Sequence, residues 1–384
     1  MTCPHCNAPL APDARFCGAC GRATVGTAPS QHAGVASAIA EPGRGAELVG
    51  REIGGRYRVI AKLGEGGMGA VYRGEQISLK RKVAIKVLRP ELSADAGLVR
   101  RFNAEAELCA KLSHPNTVNI YDFGQDADGS LYIAMELLEG SSLRSVMQQE
   151  GAMPPARAIH IAQQICRSLA DAHQHGIVHR DLKPDNVMLT ERGRERDVVR
   201  VLDFGIAKLR DDNRATVNHM TRAGDLVGTP QYMAPEQIRA EHVDGRTDIY
   251  ALGAILYEML TGRLPFEGTT VMAILSKHLT EPPSPPSQRR PDLHLPPALD
   301  GLVLAMMAKD AAQRPPSMDA VGEHLDAIAA QLGSAGSSSW TAGSAGSAGW
   351  SGPSPAVAGP ATPPPGSGHH APPVGPMPTP GAGA

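Results

Sequence analysis

Four runs of this chain carry residues whose types and spacing suit chemistry on a phosphate ester. The first is Gly64-Glu65-Gly66-Gly67-Met68-Gly69, with Val71 just after it. A glycine-rich turn between extended segments lets backbone N–H groups approach a phosphate with no Cβ in the way. The second is Val83-Ala84-Ile85-Lys86, an ammonium in an apolar, strand-like stretch, which is a costly position unless an anion faces it. The third is His179-Arg180-Asp181-Leu182-Lys183-Pro184-Asp185-Asn186 and the fourth Asp203-Phe204-Gly205. They add carboxylate and amide oxygens, the ligands a hard cation such as Mg²⁺ prefers. A lone G-x-G-x-x-G also fits a dinucleotide turn, but that turn opens directly into a helix, and here a β-like segment follows.

In this order, the four runs are the components for moving the γ-phosphoryl of ATP. On them the chain resembles a protein kinase, most nearly the bacterial branch of the eukaryotic-type (Hanks-type) serine/threonine kinases. The resemblance covers about residues 57–332. It implies an α+β, bilobal fold: a β-rich N-lobe with one key helix, and a mainly helical C-lobe. It implies Asp181 as the catalytic base, Lys183 as the cation that neutralises the transferring phosphoryl, and Asn186 and Asp203 as ligands of Mg²⁺ or Mn²⁺. Lys86 would reach the α- and β-phosphates and pair with a helix glutamate. Glu105 matches that glutamate, with Glu107 as the fallback and more simply a solvated charge. Gly64, Gly66 and Gly69 would cradle the phosphates. Val71, Ala84 and Met188 would clamp the adenine, Met135 would be the gatekeeper, and Glu136 and Leu138 would offer backbone groups to the base edge.

Lys183-Pro184 and Gly228-Thr229-Pro230-Gln231-Tyr232-Met233-Ala234-Pro235-Glu236 resemble the serine/threonine class, with Thr229 near the base. By the same resemblance Glu236 pairs with Arg314, and Asp248 braces the catalytic loop. Arg180, next to the base, would face an activation loop phosphorylated at Thr221, with Thr216 as second choice and Lys208 as a further contact. The expected substrates are proteins with Ser or Thr hydroxyls, with self-association for autophosphorylation in trans. The rival reading is a pseudokinase scaffold that binds partners through its termini. The presence of Lys86, Asp181, Asn186 and Asp203 together weighs against it.

The elements that must position these groups are legible in outline. Residues 57–63 read as a strand entering the glycine turn, 71–74 as the returning strand, and 131–138 as a buried strand that becomes the hinge. Residues 98–112 and 159–173 have helical spacing, with Cys109 and Cys166 as buried small apolar residues. The most apolar stretch, Ile249 to Leu260, is too short to cross a bilayer and is flanked or broken by Asp248, Gly253 and Glu258.

The other four of six cysteines, Cys3, Cys6, Cys17 and Cys20, have the spacing C-x2-C-x10-C-x2-C. Two such knuckles supply the four thiolates of a tetrahedral zinc site, and the segment resembles a short zinc ribbon. Disulfides are disfavoured because no secretion signal is present, and a redox pair would need a βαβ context. Residues 1–22 are therefore expected to be a ribbon holding structural Zn²⁺, 23–56 a flexible linker, 57–332 the kinase domain and 333–384 a disordered tail. The tail is nearly all Gly, Ser, Ala, Pro and Thr and has too little apolar side chain to offset its ordering entropy. A net charge of −2 gives no general pull toward nucleic acid or membrane, and the ribbon has only Arg15 and Arg22 as positive charge. The expectation is a cytoplasmic protein with neither kind of partner.

Overall fold

The three-dimensional structure is a computed structural model that describes residues 48–66, 69–89, 95–204 and 230–338, together with Thr2. The four ribbon cysteines, Lys208, Thr216, Thr221 and Thr229 lie outside the described residues.

Six antiparallel strands form the N-lobe sheet: β1 (Glu52–Ile53), β2 (Tyr57–Gly66), β3 (Gly69–Gln76), β4 (Arg81–Leu88), β5 (Ile120–Gln125) and β6 (Leu131–Glu136), in the spatial order β1-β2-β3-β4-β6-β5. The period of two in these strands assigns the faces. Val83, Ile85 and Val87 of β4 and Tyr132 and Ala134 of β6 enter one cluster with Tyr57, Val59 and Tyr72. Ala84 and Leu88, with Leu131, Ile133 and Met135, enter the opposite cluster with Phe102 of α1 (Ala96–Ala110). Lys86 alternates onto the second face, which looks into the cleft. The side chain of Asp95 caps α1 by accepting from the N–H groups of Gly97 and Leu98 at 2.6 and 3.4 Å.

One sequence boundary needs correction. The expected linker to residue 56 contains β1, where Ile53 is 2 % exposed and pairs with Tyr57. Ile53 adds apolar area to the sheet, and the Arg51 carbonyl accepts from the N–H of Val59 at 2.9 Å, so this stretch has a folded partner. At the other end the chain divides into two compact units between Leu332 and Gly333, and the last helix, Met318–Ser338, continues a few residues beyond that point. Adding a backbone hydrogen bond to an existing helix is far easier than starting one.

The C-lobe is helical: α2 (Leu143–Glu150), α3 (Pro155–Gln174), α4 (Gly245–Thr261), α5 (Val271–Thr280), α6 (Pro297–Met306) and α7 (Met318–Ser338), with a one-turn helix at Pro235–Ile238. A small sheet, β7 (Gly140–Ser142), β8 (Val187–Arg192) and β9 (Glu195–Val201), lies at the cleft side. The apolar stretch of the sequence is α4, buried from Thr247 to Thr261 as the centre of this lobe. The segment ahead of β5 is bolted to the C-lobe. The Asn116 side chain donates to Gln164 Oε1 at 3.0 Å and to the Val199 carbonyl at 2.9 Å, and the Val118 N–H donates to the Val201 carbonyl at 3.0 Å.

Glu236 and Arg314 form the expected pair. It is two-armed, with Nη1 to Oε1 at 2.7 Å and Nη2 to Oε2 at 2.8 Å, and the Thr247 hydroxyl donates to Oε1 at 2.6 Å. Burial opposes the charge on Glu236, but Arg314 and Thr247 outweigh it and hold the carboxyl below its ordinary 4.5. Truncating one partner strands the other without compensation. Arg314→Ala is expected to lower the unfolding free energy by about 3–5 kcal/mol at pH 7. Because the folded value lies below the unfolded one, the wild type's advantage is present in full above pH 4.5 and fades as acid protonates Glu236. Denaturant titrations of both proteins across pH check this, and a loss below about 1 kcal/mol at pH 7 would contradict it.

Candidate active site

The run from His179 to Asn186 is held from beneath by one buried carboxylate. Asp248, 1 % exposed in the first turn of α4, accepts from the N–H of His179 at 2.8 Å, the N–H of Arg180 at 2.9 Å and His173 Nε2 at 2.8 Å. Burial alone would favour the neutral acid. These bonds and the two imidazoles reverse that and hold Asp248 below its ordinary 3.8. The brace has a local load to carry, because Arg180 sits at φ 65°, in the left-handed region. That conformation costs a non-glycine residue roughly 1–2 kcal/mol. Hydrogen bonds to a charged acceptor contribute about 1.5–3 kcal/mol each, enough to hold it. His179 is fully buried; its Nε2 donates to the Leu202 carbonyl at 2.8 Å, and its ring lies 5.0 Å from that of Phe204.

On this brace stand Asp181, Lys183 and Asn186. Lys183 Nζ donates to Asp181 Oδ2 at 2.7 Å, and Asn186 Nδ2 donates to the Asp181 carbonyl at 2.8 Å and to Oδ2 at 3.3 Å. Asn186 ends a single 3-10 turn that leads straight into β8. The N–H of Leu202 donates to the Asn186 carbonyl at 2.8 Å, which ties the second oxygen donor, Asp203, to the first. Asp203 is also at positive φ, 59°, and faces the N-lobe. There Lys86 Nζ meets its Oδ1 at 2.9 Å. Burial resists the charge on Asp203, yet Lys86, with smaller help from His179 and Lys183, holds the carboxyl below its usual range.

Glu105 is half-buried on α1, one turn before Cys109. The Cys109 thiol donates to the Phe204 carbonyl at 3.3 Å. Glu107 points away and pairs with Lys111 at 3.1 Å on the exposed side.

The upper cleft is lined as the strand register dictates. Val71 pairs with Lys86, and Ala84 with Met135, on neighbouring strands. Val71 and Leu138 pack against the cluster that contains Ala84 and Met135. Met188 is half-buried on β8, opposite Arg200 of β9. Glu136 ends β6; its N–H donates to the Asn119 carbonyl at 2.9 Å, and its carboxylate accepts from Asn119 Nδ2 at 2.9 Å and from the Arg200 guanidinium.

These residues fit a nucleotide with its metal. A Cβ built on Gly64 or Gly66 meets no atom of the described residues within 4 Å, so among these residues the roof of the cleft has room for phosphate oxygens. Gly69 is different. At φ 154° its added Cβ would stand 2.0 Å from the Val87 carbonyl, so the turn closes on β4 only because this residue is glycine. Below the roof, an amide oxygen and a carboxylate stand beside an ammonium, a donor set for Mg²⁺ and phosphate rather than for a soft metal.

Arg200 and His173 carry no motif and were not singled out from the sequence. Arg200 reaches both the Pro115 carbonyl, at 2.7 Å, and Glu136, so one guanidinium ties β9 to the hinge. His173 was visible only as the last residue of an amphipathic helix.

The chain belongs to the protein kinase family, which it matches over residues 57–325, and residues 2–24 match the zinc-ribbon domain. It is 46 % identical over 285 residues to serine/threonine-protein kinase pkn3 of Myxococcus xanthus, covering 73 % of this chain and 51 % of that protein. It is 43 % identical over 262 residues to serine/threonine-protein kinase PknB of Mycolicibacterium smegmatis, covering 67 % of this chain and 40 % of that one. The chain thus spans about half or less of the length of these relatives. Among solved structures, the Mycobacterium tuberculosis PknI kinase domain superposes with a TM-score of 0.58 at 30 % identity, covering 73 % of this chain and 98 % of that one. Among the described residues, no helix is long and apolar enough to cross a membrane.

Burial pushes the Cys109 thiol up to about 12, with Glu105 and Asp203 adding to the effect, and burial also raises Cys166. At pH 8 the reactive thiolate of Cys109 is then about one part in ten thousand. Neither cysteine is expected to be alkylated by iodoacetamide in the native protein within an hour, and both should label after unfolding. Peptide mapping by mass spectrometry reads this, and rapid native labelling of Cys109 would contradict the packing of its thiol on Phe204.

Proposed function

We propose that this chain transfers the γ-phosphoryl of ATP to serine and threonine hydroxyls of proteins and acts in bacterial signalling. The observation that carries this reading is the cluster at Asp181, whose carboxylate stands within hydrogen-bond reach of both Lys183 and Asn186 at the mouth of the cleft. In the proposed reaction Asp181 orients the acceptor hydroxyl and takes its proton. The hydroxyl oxygen forms its bond to phosphorus as the bond from phosphorus to the departing ADP oxygen breaks. Lys183 balances charge on the phosphoryl in transit, and Lys86 holds the α- and β-phosphates, with Glu105 as its partner when nucleotide draws it from Asp203. Gly64, Gly66 and Gly69 present backbone N–H groups to the phosphates. The adenine lies between Val71 and Ala84 above and Met188 below, beside Met135, with Glu136 and Leu138 at its edge. Asn186 and Asp203 would hold Mg²⁺ or Mn²⁺, which when bound neutralises the β- and γ-oxygens.

The enzyme is proposed to activate itself in trans, through phosphate on Thr221 or secondarily Thr216 pairing with Arg180. Cys3, Cys6, Cys17 and Cys20 are proposed to hold one structural Zn²⁺, in keeping with four thiolates at ribbon spacing and the zinc-ribbon match. The protein is proposed to be cytoplasmic.

Phosphate transfer from radiolabelled ATP to a generic protein substrate tests the central reading. Asp181→Asn is expected to lower kcat by about 10²–10⁴-fold with the KM for ATP nearly unchanged. Peptide mapping of the same samples should find phosphate on Thr221 in the wild type and none in the variant. Equal activity in the two proteins, or none in either, would sink it and favour a partner-binding scaffold. Metal analysis separately checks the ribbon: one zinc per chain, lost in Cys17→Ser, is expected, and a metal-free wild type contradicts it.

A further inference from the structure

The peptide unit directly ahead of Asp181 is gripped from outside the catalytic loop. Gln237 lies half-buried in the one-turn helix Pro235–Ile238, next to Glu236, which is itself locked to Arg314. Its side-chain amide works in two directions. The Nε2 donates to the Arg180 carbonyl at 2.7 Å, and the Oε1 accepts from the N–H of Ala234 at 3.1 Å.

That carbonyl is not an arbitrary acceptor. It belongs to the same planar peptide as the N–H of Asp181, and a peptide unit turns as one body. The N–H end donates to the His179 carbonyl at 2.9 Å. The preceding peptide is fixed through the Arg180 N–H by Asp248 at 2.9 Å. Arg180 at φ 65° is the joint between the two peptides. Asp248 therefore fixes one side of the strained joint and Gln237 the other. Among the described residues, a cavity beside Asp181 is lined by Arg180, Tyr232, Met233, Gln237 and Asp248, so Gln237 borders the open space next to this peptide.

We propose that Gln237 is a positioning residue for the phosphoryl-transfer reaction: by holding the Arg180 carbonyl it fixes the plane of the Arg180–Asp181 peptide, and with it the aim of the Asp181 carboxylate. It also joins the exit of the activation segment, at Ala234, to the base. This rests on the proposed role of Asp181 as the base.

An isosteric change separates the two halves of the amide. In Gln237→Glu at neutral pH, the ionised carboxylate still accepts from Ala234 but cannot donate to the Arg180 carbonyl. In full-length protein this variant is expected to lose about tenfold to a hundredfold in kcat, with the KM for ATP within twofold and the melting temperature little changed. As pH falls toward the carboxyl's own titration, the protonated Glu can donate again, and the ratio of variant to wild-type kcat should climb. Gln237→Met, which lacks both halves, should show the loss without that recovery. A Gln237→Glu kcat within twofold of wild type at neutral pH overturns the proposal. So does a ratio that is flat with pH, or a loss that only tracks the unfolded fraction. An active wild type with any of these results leaves the kinase reading standing, whereas a wild type without phosphoryl transfer contradicts both.

Discussion

A single ionised carboxylate in the centre of the C-lobe carries the geometry of the site. Asp248 lies in a helix that is otherwise packed on every side, and its charge is kept there by three donors from two other segments. Removing a carboxylate from water costs several kcal/mol unless its lone pairs are filled by well-placed donors. The polypeptide meets that condition with the backbone of His179 and Arg180, and so the same bonds that make Asp248 tolerable force Arg180 into its left-handed turn. Asp181, Lys183 and Asn186 inherit their positions from that turn. The brace and the strain are one feature seen from two ends.

The two lobes meet through polar links as well as apolar packing, with Ile120 lying against both an N-lobe cluster and the C-lobe cluster. Clusters on the two faces of the N-lobe sheet are separate from the large C-lobe cluster, while Cys109 of α1 packs into the latter. Links between the lobes include Lys86 to Asp203, the thiol of Cys109 to Phe204, Asn116 to Gln164 and Arg200 to the hinge. Polar links at an interface can exchange partners at low cost, since each group has alternatives in solvent or in a bound nucleotide. Lys86 is the clearest case. Its pairing with Asp203 neutralises the site as described, and a nucleotide with its cation would supply each of them with a different counter-charge.

Much of this was legible in the sequence because the groups concerned lie close along the chain. The spacing of Asp181, Lys183 and Asn186 is local and survives folding almost unchanged, and the costly ammonium of Lys86 in an apolar strand marked it for an anion, while Ala84 and Met135 came from the family resemblance. The pairing of Glu236 with Arg314, 78 positions apart, came only from family resemblance. The roles of Gln237, Arg200 and His173 left no trace, because each acts through long-range bonds to a backbone atom or a distant carboxylate, and such bonds impose no spacing pattern. The linker boundary failed for a related reason. A two-residue strand with one buried isoleucine is too short to show a period, and it exists only because β2 offers it an edge.

Crystals of the wild-type protein grown with Mg²⁺ and a non-hydrolysable ATP analogue would test the convergence of these groups most directly. The expected result is nucleotide under the Gly64–Gly69 turn, its adenine between Ala84 and Met188, its metal on Asn186 and Asp203, and Asp181 facing the γ-phosphoryl. An empty cleft, or a nucleotide whose metal lies away from Asn186 and Asp203, would contradict it.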